Sequence, residues 1–68
     1  MSETFERWMA TNYPDAVVEL TFRLLPDGAP KVLASVELDG RVIDSGEWRL
    51  VSGALRMLRA KLEMEVTA

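Results

Sequence analysis

The sequence predicts an α+β domain with element order α–β–β–β–α, a three-stranded antiparallel sheet with both helices packed on one face. Three observations predict it. A helix-spaced apolar stripe opens the chain, two alternating segments and an Asp-Gly turn fill its middle, and a basic amphipathic segment closes it.

Ser2 to Thr11 reads as the first helix, because Phe5, Trp8 and Met9 fall at i, i+3 and i+4, with Glu3 and Glu6 favourably near the helix N-terminus. Pro14 ends it, since the residue before a proline is pushed out of the helical region. From Val17 to Leu25 the chain alternates, with Val18, Leu20, Phe22 and Leu24 on one face and Glu19, Thr21 and Arg23 on the other. Pro26 to Pro30 is a turn by composition. Lys31 to Asp39 forms the second strand, with Val32, Ala34, Val36 and Leu38 inward. Asp39-Gly40 favours a two-residue hairpin because both turn positions take positive φ. Arg41 to Trp48 is the third strand, and its alternation breaks at Ser45-Gly46, where a bulge or bend is expected. Ser52 is the expected N-cap of the last helix, which runs to about Glu65 with Leu55, Leu58 and Leu62 on the sheet and Arg56, Arg59 and Glu63 outward.

Residues 1–68 make one domain, near the lower size limit for folding without a disulfide or metal. At this size more apolar surface stays exposed, which favours self-association. With no cysteine and no histidine, disulfide frameworks, zinc knuckles, thiol nucleophiles and imidazole bases are all absent. No phosphate-cradling glycine loop or serine elbow is present either. Carboxylate pairs such as Asp39 and Asp44 can come close across the hairpin, and hairpin-tip carboxylates ordinarily serve solubility and edge protection. The expectation is a non-enzyme with no cofactor and no metal. No segment approaches the roughly 20 apolar residues of a membrane span, and the acidic N-terminus is unlike a signal peptide. A cytoplasmic protein is expected.

The net charge of −3 argues against generic nucleic-acid binding, but the charges are unevenly placed. Residues 1–48 hold nine acidic and four basic side chains, whereas residues 49–62 hold Arg49, Arg56, Arg59 and Lys61 with no acid among them. The last helix is a basic element on an acidic domain.

The stretch Val36 to Leu55, VELDGRVIDSGEWRLVSGAL, resembles the double-stranded RNA-binding domain, and the likeness extends over nearly the whole chain, most strongly from Val17 to Leu62. In that family a strand similar to VVELTFRLL leads to a Gly-Pro-x-His loop that enters the minor groove; here the loop is Pro26 to Pro30, without histidine. The family's last helix opens with Lys-Lys-x-Ala-Lys, whose lysines bridge phosphates. Aligning its alanine on Ala54 places Val51, Ser52 and Leu55 where those lysines stand. The resemblance therefore implies the fold, whereas the loss of phosphate-neutralising lysines removes the main source of duplex affinity.

The reading that follows is a non-catalytic protein-binding or dimerisation module. Its format matches that of small phage-type inhibitors of larger complexes, the anti-CRISPR type among them. Its expected contact residues are Trp48, Arg49, Arg56 and Arg59, or alternatively Leu25 and Leu33, which with Val17 give the open face of the sheet an apolar character. The alternative is weak binding of double-stranded RNA or another nucleic acid through the basic C-terminal helix.

Overall fold

Thr4 starts the first helix, α1 (Phe5–Asn12), by accepting the Arg7 N–H on its side-chain oxygen at 3.2 Å. The computed structural model describes residues 3–67, with Ser2 outside them; Glu3 and Thr4 are not helical, so the helix begins later than the Ser2 start expected from sequence, because Thr4 caps it. Tyr13 closes α1, its N–H donating to the Met9 carbonyl at 2.7 Å, one residue before Pro14.

Three antiparallel strands follow in spatial order β1 (Val18–Leu24), β2 (Pro30–Leu38), β3 (Arg41–Trp48). The β1–β2 loop is a turn closed by the Gly28 N–H on the Leu25 carbonyl at 2.8 Å, and the Asp27 carboxylate accepts the Ala29 N–H. Asp39 and Gly40 both take positive φ, 50° and 82°, as the two-residue β2–β3 hairpin requires. The second helix, α2 (Val51–Thr67), starts one residue before the expected N-cap. The Leu50 carbonyl accepts the Ala54 N–H, so Ser52 lies inside the first turn and does not cap it.

One irregularity sets the faces of the sheet. The register pairs Ser35 with Asp44 but Leu33 with Glu47, so β3 carries one extra residue at Ser45-Gly46. Gly46 adopts φ +73°, a left-handed angle that glycine takes without a Cβ penalty. Ser45 is buried there, and its hydroxyl accepts the Ala34 N–H at 3.0 Å while donating to the Gly46 carbonyl at 2.7 Å. The Asp44 carboxylate accepts the Gly46 N–H, and the Trp48 indole N–H donates to the Ser45 carbonyl at 2.7 Å. Every polar group freed by the bulge that these bonds reach has a local partner, which is what a buried irregularity needs.

The extra residue turns Trp48 to the helix side, opposite Val32, and leaves Glu47 on the other face, opposite Leu33. The Trp48 ring then lies against Gly53 in the first turn of α2, where a Cβ would stand 2.9 Å from Cε3. Gly53 is unfavourable on helix propensity alone; the close approach of the ring accounts for it.

The core lies between the sheet and α2, where Val32, Ala34 and Val36 of β2 meet Ala54, Leu58 and Leu62. Alanines at 34 and 54 hold no side-chain bulk between the two elements, and Trp8 and Met9 close the core from α1. α2 packs on β2 and β3, and α1 packs on α2, so neither helix is seated on β1. At the far end Arg41 and Glu65 make a two-bond ion pair at 2.9 and 3.3 Å, which ties the hairpin to the end of α2 and raises the Arg41 pKa from its ordinary value.

Ser45→Ala leaves the Ala34 N–H without its buried partner and is expected to lower unfolding free energy by about 2 kcal/mol in urea titration. Gly53→Ala is expected to destabilise the chain despite alanine's helix advantage of about 1 kcal/mol, and to shift the Trp48 indole N–H resonance. A stability gain with an unmoved resonance would show that the ring does not constrain position 53.

Candidate functional site

β1 alternates as its sequence requires, but the helices cover its apolar face only at the Val18 end. The β1–β2 register sets Val18, Leu20 and Phe22 opposite Val36, Ala34 and Val32, hence on the helix side of the sheet. Yet Leu20 is 40% exposed and Phe22 64%, while their β2 partners Ala34 and Val32 are buried, and Leu24, 74% exposed, stands opposite exposed Pro30 at the strand end. The cause is lateral: α2 sits over β2 and β3, which leaves a step along β1. A groove of about 260 Å³ follows this step, lined by Phe5, Glu6, Met9, Val18, Leu20 and Leu55. Beyond the ridge of Phe5 and Leu55, a second hollow reaches Ser52, Arg56 and Arg59.

Contiguous exposed side chains of this size are unusual on a lone soluble domain and mark surfaces that are covered by something else. The residues expected from sequence fall around this step in different ways. Trp48 is 36% exposed, and its indole N–H and one ring edge are engaged by Ser45 and the α2 turn, so it works as much in the fold as at the surface. Arg49 and Arg56 are exposed. Arg59 is not the outward cation its position suggests. Its guanidinium stacks over the Trp8 ring at 5.1 Å, donates to the Glu3 carbonyl at 3.3 Å, and pairs with Glu63 at 3.2 Å. It joins the two helices, together with the Tyr13 hydroxyl, which donates to the Leu62 carbonyl at 3.2 Å.

The open face of the sheet is more polar than expected. Leu33 is half-buried there, between Thr21 and Glu47 in the register, and an Arg23–Glu47 ion pair of 2.6 Å spans it. Leu25 has left the strand and closes the β1–β2 loop. Val17 and Val42 are exposed but stand among Asp15, Glu19 and Glu37. A contiguous exposed apolar row therefore lies along β1 on the helix side, through Leu20, Phe22 and Leu24, while Leu50 before α2 and Met64 on α2 are exposed singly. Period-two alternation assigns these to a face but does not say how far across it a helix reaches.

Of the three positions aligned with the RNA-binding lysines, Val51 and Leu55 pack against the chain's own core and Ser52 is exposed. The Asp44 carboxylate is engaged with the Gly46 N–H, and Asp39 sits at the hairpin tip. Among the described residues no three acidic side chains gather in a metal-holding group, and no helix is long and apolar enough to cross a membrane. Comparison with protein-family models, with curated proteins and with solved structures finds no match.

Arg59→Ala is expected to cost about 1 kcal/mol of stability because its stacking on Trp8 disappears, whereas Arg56→Ala stays within about 0.5 kcal/mol of the parent. Denaturant titration of the two variants side by side separates them; equal effects would show that Arg59 does not hold α1.

Proposed function

We propose that this chain is a non-catalytic protein-binding module that associates through the uncovered helix-side face of β1. The observation that carries the reading is the exposure of Leu20, Phe22 and Leu24 in one row beside the Phe5–Leu55 ridge. An apolar centre with charges at its margins is the composition of a protein interface, where depletion of charge from the middle is the distinguishing mark. Arg56 stands at the margin, in the hollow beyond Phe5 and Leu55, and aromatic Phe22 offers the kind of anchor that dominates binding energy.

A module of this size acts by occupying a surface of something larger or of itself, which is also how a small phage-type inhibitor of a larger complex works. The layout similar to a double-stranded RNA-binding domain is here put to protein contact. The chain has no cysteine and so needs no oxidising compartment, which fits a cytoplasmic setting.

The test compares the parent with Phe22→Ser/Leu24→Ser, both exposed positions, in retention of proteins from the native host's lysate and in self-association. The double variant is expected to unfold within a few degrees of the parent, about the shift of a 1 kcal/mol change, and to lose both kinds of association. Unchanged behaviour in both assays overturns the reading.

A further inference from the structure

We infer that the occupant of this surface is a second copy of the chain, joined edge to edge along β1 in antiparallel register about Thr21. The inference rests on the reading of β1 as an interaction surface and goes further by naming what covers it. Four features of the strand support it.

β1 lies at an edge of the sheet, and its outer side presents unpaired backbone donors and acceptors. Its pairing with β2 runs unbroken from Val18 opposite Val36 to Leu24 opposite Pro30, so the strand is regular over its whole length. The devices that blunt free edges, an internal proline or a bulge, are missing from it. The opposite edge, β3, carries the Ser45-Gly46 bulge. β1 is thus the edge that can template another strand.

The sequence of β1 is complementary to itself. Read as Val18-Glu19-Leu20-Thr21-Phe22-Arg23-Leu24, it places an acid two residues before Thr21 and a base two residues after. Antiparallel pairing about Thr21 sets Glu19 of each copy opposite Arg23 of the other, Leu20 opposite Phe22, and Val18 opposite Leu24. All the apolar partners then share the helix side, and the two ion pairs share the open face. A register centred on Leu20 or on Phe22 keeps the faces but sets Glu19 or Arg23 opposite Thr21 and leaves the opposite charges unmatched. A slip of one residue sets apolar side chains against the polar face.

Arg23 already holds Glu47 of its own chain at 2.6 Å, and its side chain is still largely exposed. A guanidinium has five N–H donors and can take a second carboxylate, so Glu19 of the second copy adds to the in-chain pair without replacing it. The arrangement is isologous, as a two-fold dimer requires. Two three-stranded sheets become one six-stranded sheet with every helix on the same side. The two bare β1 faces meet in the middle, where Leu20 and Phe22 of each copy pack between the Phe5–Leu55 ridges.

Light scattering over a range of concentrations is expected to show a dimer for the parent. Glu19→Lys sets lysine opposite Arg23 of the second copy and is expected to raise the dissociation midpoint by about tenfold or more, as like charges do across an interface. Arg23→Glu alone also repels Glu47, so it enters as the partner in a mixture. Glu19→Lys mixed with Arg23→Glu restores the dimer, because that pair alone sets opposite charges together at both positions. Thr21 sits on the two-fold axis and the chain has no native cysteine, so Thr21→Cys is expected to form a disulfide-linked dimer on mild oxidation, its Cα atoms falling within the roughly 4.4–6.8 Å a disulfide spans. Val42→Cys, exposed on the opposite edge strand, is expected not to crosslink. Circular dichroism confirms that each variant is folded. A dimer that ignores Glu19→Lys and gives no Thr21→Cys crosslink overturns the register. A parent that is monomeric throughout, while capture of another protein still needs Phe22 and Leu24, overturns the inference and leaves the binding module standing. A monomeric parent with no effect of Phe22→Ser/Leu24→Ser on capture overturns both.

Discussion

The rest of the structure depends on the extra residue at Ser45-Gly46. Continuing the register of Asp44 opposite Ser35 would place Glu47 opposite Val32 and Trp48 opposite Lys31. A carboxylate would then enter the apolar side of the sheet, and the largest side chain of β3 would stand among charges on the open face. The bulge exchanges them. Its stability comes from Ser45, whose hydroxyl accepts the Ala34 N–H where the strand ladder is interrupted. A burial cost that would otherwise fall on an orphaned amide is thereby removed.

Trp48, turned to the helix side, fixes where α2 begins. Its ring needs the glycine at position 53, and from there α2 follows β2 and β3 through Ala54, Leu58 and Leu62. α1 has no seat of its own on the sheet and is held to α2 by Arg59 over Trp8 and by the Tyr13 hydroxyl on Leu62. With α2 drawn over β2 and β3, the apolar side of β1 is covered at Val18 and left open from Leu20 to Leu24. The exposure of Phe22 and Leu24 is a consequence of the helix position, which the bulge sets at the opposite edge. On a small domain with little core to spare, such a row is the natural candidate for a contact surface.

Local signals were legible in the sequence and lateral ones were not. The Asp39-Gly40 hairpin, the bounds of β3 and the irregularity at Ser45-Gly46 all follow from turn chemistry and alternation, and the structure has them there. The start of α2 lies two residues earlier than a Ser52 cap gives, because capping preference favours serine, whereas the Leu50 carbonyl makes the first helical bond. Arg59 reads as part of a solvated basic face because its neighbours are basic; its contacts with Trp8 and Glu3 join segments far apart in the chain. The open face was expected to be apolar from Leu25 and Leu33, yet the Arg23–Glu47 pair spans Leu33, and Leu25 belongs to the loop. Gly53 was the one available signal for Trp48: a glycine in a first helical turn is unfavourable unless something bulky lies against it.

Of the two kinds of partner proposed for this chain, the distribution of its charges favours protein. Duplex nucleic acid is bound by neutralising several phosphates at once, and each phosphate left without a cation weakens binding further. Of the four cations in residues 49–62, Arg59 is occupied by Trp8, Glu3 and Glu63. That leaves Arg49, Arg56 and Lys61 against the acidic side chains that dominate residues 1–48. The β1 step, by contrast, gathers Leu20, Phe22 and Leu24 without a charge among them on that face. The proposed association there would be driven by removing apolar area from water, a force that salt screens little. The charges that do lie on β1, Glu19 and Arg23, are on the opposite face, where in the proposed dimer they would select a register while the apolar row supplies the attraction.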